Sequence, residues 1–141
     1  MIPLVLASTS RYRRELLARL GLPFTVDRPD VDESPRPGEA PAELARRLAE
    51  AKAREVARRH PGAWVLGSDQ VADRDGLPLG KPGDRDTAFR QLAAASGREV
   101  RFHTAFCLVR DDGPALAGLD ETRVRFRTLD DDAILRYLDA E

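Results

Sequence analysis

A chain of 141 residues, 42% apolar and 33% charged, has the size of one domain, 1–141, and the composition of a globular protein. A net charge of -1 gives no global attraction to a nucleic acid polymer or an anionic membrane, so any phosphate recognition has to be local. No apolar run reaches the ~20 residues that span a bilayer. The N-terminus lacks a signal-peptide pattern, and a lone Cys107 cannot close an internal disulfide, which points to the cytoplasm.

In chain order, LVLA (4–7) reads as a buried strand, and Ser8 to Ser10 as a turn that caps a helix. That helix keeps Leu16, Leu17 and Leu20 on one side and stops at Gly21. PFTVD (23–27) reads as a second strand. A Pro-rich acidic loop (28–41) then carries Asp30, Asp32 and Glu33. A long helix is expected from about Ala42 to Arg59, closed by HPG. Its stripe of Leu44, Leu48 and Val56 advances by four, and the missing member is Lys52, a charge inside an apolar face.

AWVLGSDQV (63–71) predicts a buried strand that runs into a Gly turn, exposing Asp69 at a sheet edge. Turn residues with Lys81 follow at 74–84, then a helix over 84–97 capped by Asp84 or Asp86 and stopped by Gly97. Strands are expected over 99–113 and 121–129, with Cys107 in the core. The chain closes on an amphipathic helix with aspartates at its start (130–141), and the pattern reads as a chain cut inside or just after that helix. Alternating strands and helices predict an α/β or mixed α+β fold, whose ligands collect at the carboxyl ends of strands.

Three arginines, Arg11, Arg13 and Arg14, stand at a helix start, where the macrodipole disfavours cations by about 0.3–1 kcal/mol each. Two readings fit. On a solvated face the penalty is screened. Alternatively, the helix-start amides, the serine hydroxyls and the arginines converge on phosphates, and a bound anion turns opposition into cooperation. The glycine-rich Walker A pattern is absent. The chain also has only two lysines among its 23 basic residues, Lys52 and Lys81. Each could be a compact point charge aimed at phosphate, Lys52 could equally snorkel, and Lys81 could be an exposed turn residue. Asp69 and Glu33 could supply oxygens to a divalent cation, which typically takes one or two carboxylates plus substrate phosphates. His60 and His103 have no metal-ligand spacing.

The segments LASTSRYRRELLARLGLPF (6–24), DVDE, RLAEAKA, GSDQV, LGKP and ASGREVRFHTA occur in the order and spacing of the Maf family of nucleoside triphosphate pyrophosphatases. The chain resembles that family over essentially all of its length. Each motif alone is weak, but the ordered set is specific. The resemblance implies a Maf/inosine triphosphatase-like mixed twisted sheet flanked by helices, with an active-site cleft between two lobes. It implies hydrolysis between the α- and β-phosphates of a nucleotide with a divalent metal, Mg²⁺ or Mn²⁺.

By the family pattern, Asp69 accepts the proton of the attacking water and neighbours the metal. Ser8, Arg13 and Arg14 meet phosphates, while Glu33, Lys52 and Lys81 surround the metal and the polyphosphate. Gln70, where relatives acting on dTTP and UTP carry Thr, and the aromatic Tyr12 resemble the branch that prefers 7-methyl-GTP. Tyr12 stands where that branch carries Trp; an aromatic face suits a cationic methylated purine. The implied partner is a small-molecule nucleotide, with a homodimer as the assembly to test. Members also have an association with arrest of septum formation, so the rival expectation is a binding protein without turnover. Family members continue for several tens of residues past position 141. The resemblance therefore implies an incomplete nucleotide pocket if 141 residues are the whole polypeptide.

Overall fold

The computed structural model describes residues 3–74, 76–79 and 84–140. Its elements in order are β1 (Leu4–Ala7), α1 (Arg11–Ala18), β2 (Thr25–Asp27), α2 (Pro41–Ala57), β3 (Trp64–Arg74), β4 (Leu77–Leu79), α3 (Arg85–Ala95), β5 (Glu99–Arg110), β6 (Leu116–Arg125) and α4 (Asp131–Ala140). The mixed α/β architecture expected from the alternating pattern is present. One sheet has the order β2-β1-β3-β5-β6, with β4 paired to β3. β1 is parallel to both β2 and β3, whereas β3 to β5 and β5 to β6 are antiparallel.

The main core forms where α2 lies on β3 and β5. Val5 and Ala7 of β1, Val65 and Val71 of β3, and Ala105, Cys107 and Val109 of β5 present one apolar face. Leu44, Leu48, Ala49, Ala53 and Val56 of α2 cover it. Strand alternation selects these residues, because side chains two apart share a face. The alanines matter as much as the leucines, since they let the helix approach closely. Gly67 marks the closest point: a Cβ there would stand 2.3 Å from the Ala49 carbonyl oxygen and 2.8 Å from the Ala53 nitrogen. Outside that core the buried hydrophobic residues among those described are Leu6 of β1, Leu17 of α1, Ala95 of α3, Val100 of β5 and Ile134 of α4, and α3 packs on α4. Ser96, just past α3, is tied to the segment before α4, its Oγ accepting from the Leu129 amide at 2.6 Å.

Several boundaries move from their expected places. The glycine at 67 is not a turn. β3 continues to Arg74 because β5 pairs with it from Trp64 to Asp73, and Gly67 serves helix approach instead. The segment 77–79, expected as turn residues, is a short strand on β3. β6 begins at Leu116, five residues before the alternation at 121 becomes readable, because pairing with β5 carries it. α1 ends at Ala18 rather than reaching Gly21, whose φ of 73° closes the following turn. Of the three leucines expected on its buried side, Leu16, Leu17 and Leu20, only Leu17 is buried, and Leu20 lies past the helix end. Among the described residues no helix is long and apolar enough to cross a membrane.

Candidate active site

The carboxyl ends of two parallel strands open the cleft. β1 stops at Ala7, level with Gly67 of β3, and β2 stops at Asp27. β3 alone runs on. On the edge that β1 vacates, β4 pairs only from Ala72. Asp69 lies in the interval, on the inward face of β3 and two residues past Gly67. The sequence led to an exposed Asp69 at the end of its strand; it lies instead in the middle of β3 and is buried, and the strand that ends beside it is β1.

Asp69 is 7% exposed and Lys52 9%, so an acid and a base share one buried locus. Lys52 Nζ donates to Asp69 Oδ1 at 2.8 Å and lies 2.9 Å from Glu33 Oε1. The lysine therefore occupies the stripe position of α2 that its spacing indicated, and its ammonium bridges two carboxylates. Burial raises the pKa of Asp69 above the ordinary carboxylate value. The Lys52 hydrogen bond and charge oppose that rise, Glu33 adds to it and Arg13 opposes it weakly. Glu33 is brought in by the 28–40 segment and stays half-exposed, with 54% of its side chain open.

The other wall is the start of α1. Ser10 is the N-cap and accepts from the Arg13 amide at 3.2 Å, while Ser8 Oγ accepts from the Ser10 amide at 2.9 Å. The first turn contains no acid. A cleft of about 1040 Å³ runs between this turn, the residues after β2 and α2; Ser8, Arg13, Glu33 and Lys52 all line it. Glu55 of α2 and Arg59, in the turn just past its end, line it too.

The remaining expected residues sit elsewhere. Arg14, one helical step from Arg13, lines a separate groove with Arg11, Phe24 and Val26. Tyr12 is 69% exposed and is not among the residues lining the cleft. Gln70 follows Asp69 on a strand, so it is exposed on the opposite face of the sheet. Lys81 lies outside the described residues. Sequence reasoning passed over Glu55 and Arg59. The available signal was their spacing of three and seven from Lys52, which puts all three on one helical stripe.

Whether the site suits a divalent cation turns on its donors. Two carboxylate oxygens already converge on a single positive centre, the Lys52 ammonium. Among the described residues no group of three or more His, Cys, Asp or Glu could form a complete cage. That donor set fits a Mg²⁺-like ion that takes one or two carboxylates and completes its shell with phosphate and water. A second buried pair, His103 Nε2 donating to Asp73 Oδ2 at 3.0 Å, lies further along β3.

The profile of the family described as Maf-like protein matches residues 3–141. A protein of Xanthomonas oryzae pv. oryzae named 7-methyl-GTP pyrophosphatase is 60% identical over 144 residues, covering 100% of this chain and 74% of the relative. One of the same name from Bordetella pertussis is 59% identical over 139 residues, covering 98% and 69%. The fold is similar to that of a HAM1 protein from Coxiella burnetii, with a TM-score of 0.63 at 22% identity, covering 89% of this chain and 73% of that one. The Staphylococcus aureus Ham1 protein gives the same TM-score of 0.63 at 15% identity, covering 87% and 71%. Ordered motifs, sheet topology and sequence identity therefore converge, and the chain belongs to the Maf-like protein family.

Proposed function

We propose that this chain is a nucleoside triphosphate pyrophosphatase that hydrolyses the bond between the α- and β-phosphates, with 7-methyl-GTP as its substrate. The observation that carries the reading is the Asp69–Lys52–Glu33 cluster beside a cleft whose opposite wall presents Ser8 and Arg13. The names of relatives at about 60% identity support the substrate. Asp69 takes a proton from water as the water oxygen forms a bond to the α-phosphorus. The bond from that phosphorus to the bridging oxygen breaks, and pyrophosphate leaves with the electron pair. Lys52 and Arg13 stabilise the charge that builds on the phosphate oxygens. A buried, desolvated carboxylate is a stronger base than an exposed one, which is what the raised Asp69 pKa supplies.

Asp69 and Glu33 would hold the divalent cation, Mg²⁺ or Mn²⁺. When bound, it offsets phosphate charge. Lys81 is proposed as a further catalytic charge on the polyphosphate, whereas Arg14, in its separate groove, and Gln70, on the opposite sheet face, take no part in holding the phosphates. Tyr12, exposed beside Arg13, offers a ring face to a cationic purine. A buried lone Cys107 is consistent with a cytoplasmic setting.

The test is metal-dependent pyrophosphate release across canonical and 7-methylated triphosphates. Asp69→Asn should lower release by about 10²- to 10⁴-fold, the usual contribution of a general base. Full activity in that variant overturns the assignment. Tight nucleotide binding without release by the wild-type chain favours a binding protein instead.

A further inference from the structure

The loop that delivers Glu33 has neither helix nor strand to fix it from Arg28 to Arg36, and its backbone groups need partners. They find them on α2 and on the turn that follows it, in strict order. The Arg28 carbonyl accepts from Arg59 Nη2 at 2.7 Å, and the Asp30 amide donates to Glu55 Oε1 at 2.6 Å. Glu33 meets Lys52, and the Ser34 carbonyl accepts from Arg47 Nη2 at 3.0 Å. As the loop number rises, the helix number falls. The loop is laid antiparallel along α2 and its C-terminal turn, and Glu33 lies between two backbone ties.

Arg59 lines the cleft, yet its guanidinium is committed to the protein. Nη1 donates to Asp27 Oδ2 at 2.9 Å, Nη2 to Glu55 Oε1 at 2.8 Å as well as to Arg28, and Nε to Glu55 Oε2 at 3.2 Å. A fork spent this way holds geometry rather than phosphate. The ends of α2 and β2 are also joined by His60 Nε2 on Asp27 Oδ2 at 2.7 Å. Glu55 has a pKa below the ordinary range, first because of the Asp30 amide, which matches a carboxylate serving as a fixed acceptor.

We propose that Glu55 and Arg59 are positioning residues: they pin the 28–34 loop to α2 and so set Glu33 at the Lys52–Asp69 centre. This rests on the pyrophosphatase reading for its kinetic consequence and on geometry alone for the pinning. Arg59→Met should lower pyrophosphate release roughly 10- to 100-fold, the scale of a small misplacement in an active site. In a Glu33→Ala background the same change should cost less than about 3-fold, because the group being positioned is already gone. An equal loss in both backgrounds overturns the proposal.

Amide hydrogen exchange tests the pinning without turnover. Glu55→Met should speed exchange at Asp30 by about tenfold, the scale of losing one bond to a carboxylate, with the α2 amides unchanged. Glu55→Gln, which keeps an oxygen acceptor, should restore protection. Unchanged exchange at Asp30 in Glu55→Met overturns the proposal, even if no triphosphate is hydrolysed. If exchange responds but the wild-type chain releases no pyrophosphate, the pinning stands and the pyrophosphatase reading fails.

Discussion

The two helices that flank the cleft hold their charges differently. α2 buries nine residues, Lys52 among them, whereas α1 buries only Leu17. The Lys52 ammonium is placed by a packed helix and two carboxylates, at the wall of the cleft. Arg13 rides on a helix of eight residues held by one leucine and a serine cap. The deep helix fixes a charge to within hydrogen-bond distance of Asp69. The shallow one presents a charge that substrate can still rearrange. A general base needs the first kind of support, and a phosphate contact tolerates the second.

The largest difference should appear on removing the buried cation. Lys52→Met leaves Asp69 buried without its main partner, and breaking such a pair costs about 3–5 kcal/mol. The loss should depend on pH. Without Lys52 the folded-state pKa of Asp69 rises further above its unfolded value, so its contribution is present at low pH and lost as pH rises through the folded pKa. Denaturant unfolding of the variant at pH 5 and pH 8 checks this: it should lie closer to wild type at the lower pH. A pH-independent loss would mean that Lys52 acts by packing alone.

Packing gives the next contrast. Leu48→Ala should cost about 2–5 kcal/mol, since Leu48 is 3% exposed under the sheet, while Leu16→Ala on α1 should stay within about 0.5 kcal/mol. Urea midpoints of the two variants measure it. If both cost the same, α1 is held more firmly than its burial indicates.

Kinetics sharpen the contrast further. Arg13→Ala should raise KM for the triphosphate about tenfold, the scale of one charge-assisted bond, and Arg14→Ala by much less, because only Arg13 lines the cleft. Equal effects would place both arginines on the substrate.

The smallest effect concerns the loop anchor. Glu39 has its pKa lowered from 4.5 to about 2, chiefly by the paired Arg47 guanidinium at 2.7 and 2.9 Å. A depressed carboxylate contributes stability above its unfolded pKa and loses it as pH falls through the folded one. Glu39→Gln should therefore flatten the fall in Tm between about pH 4.5 and pH 2. It should change nothing at pH 7 beyond the loss of a partly exposed pair.

Much of the site was written in local pattern. The α2 stripe of Leu44, Leu48 and Val56 announced that position 52 faces the core, and Ser10 announced the α1 cap. The separation of Arg13 from Arg14 could not be read the same way: a 100° step decides which of two adjacent arginines faces the cleft, and that depends on how the helix docks. Nor could the span of β3, since Gly67 reads as a turn until a helix backbone is found against it.

Residue spacing, then, was enough to establish an alternating α/β chain and a lysine in the apolar stripe of a helix, because periodicity and capping act over a few neighbours, while the ordered motifs carried the resemblance to the family. The meeting of Lys52, Asp69 and Glu33 brings together residues 17 and 19 positions from the lysine. It requires β1 to end two residues short of Asp69's level and a loop to run backwards along α2. Those are relations between distant elements, fixed by packing and backbone pairing, and no short window of sequence contains them.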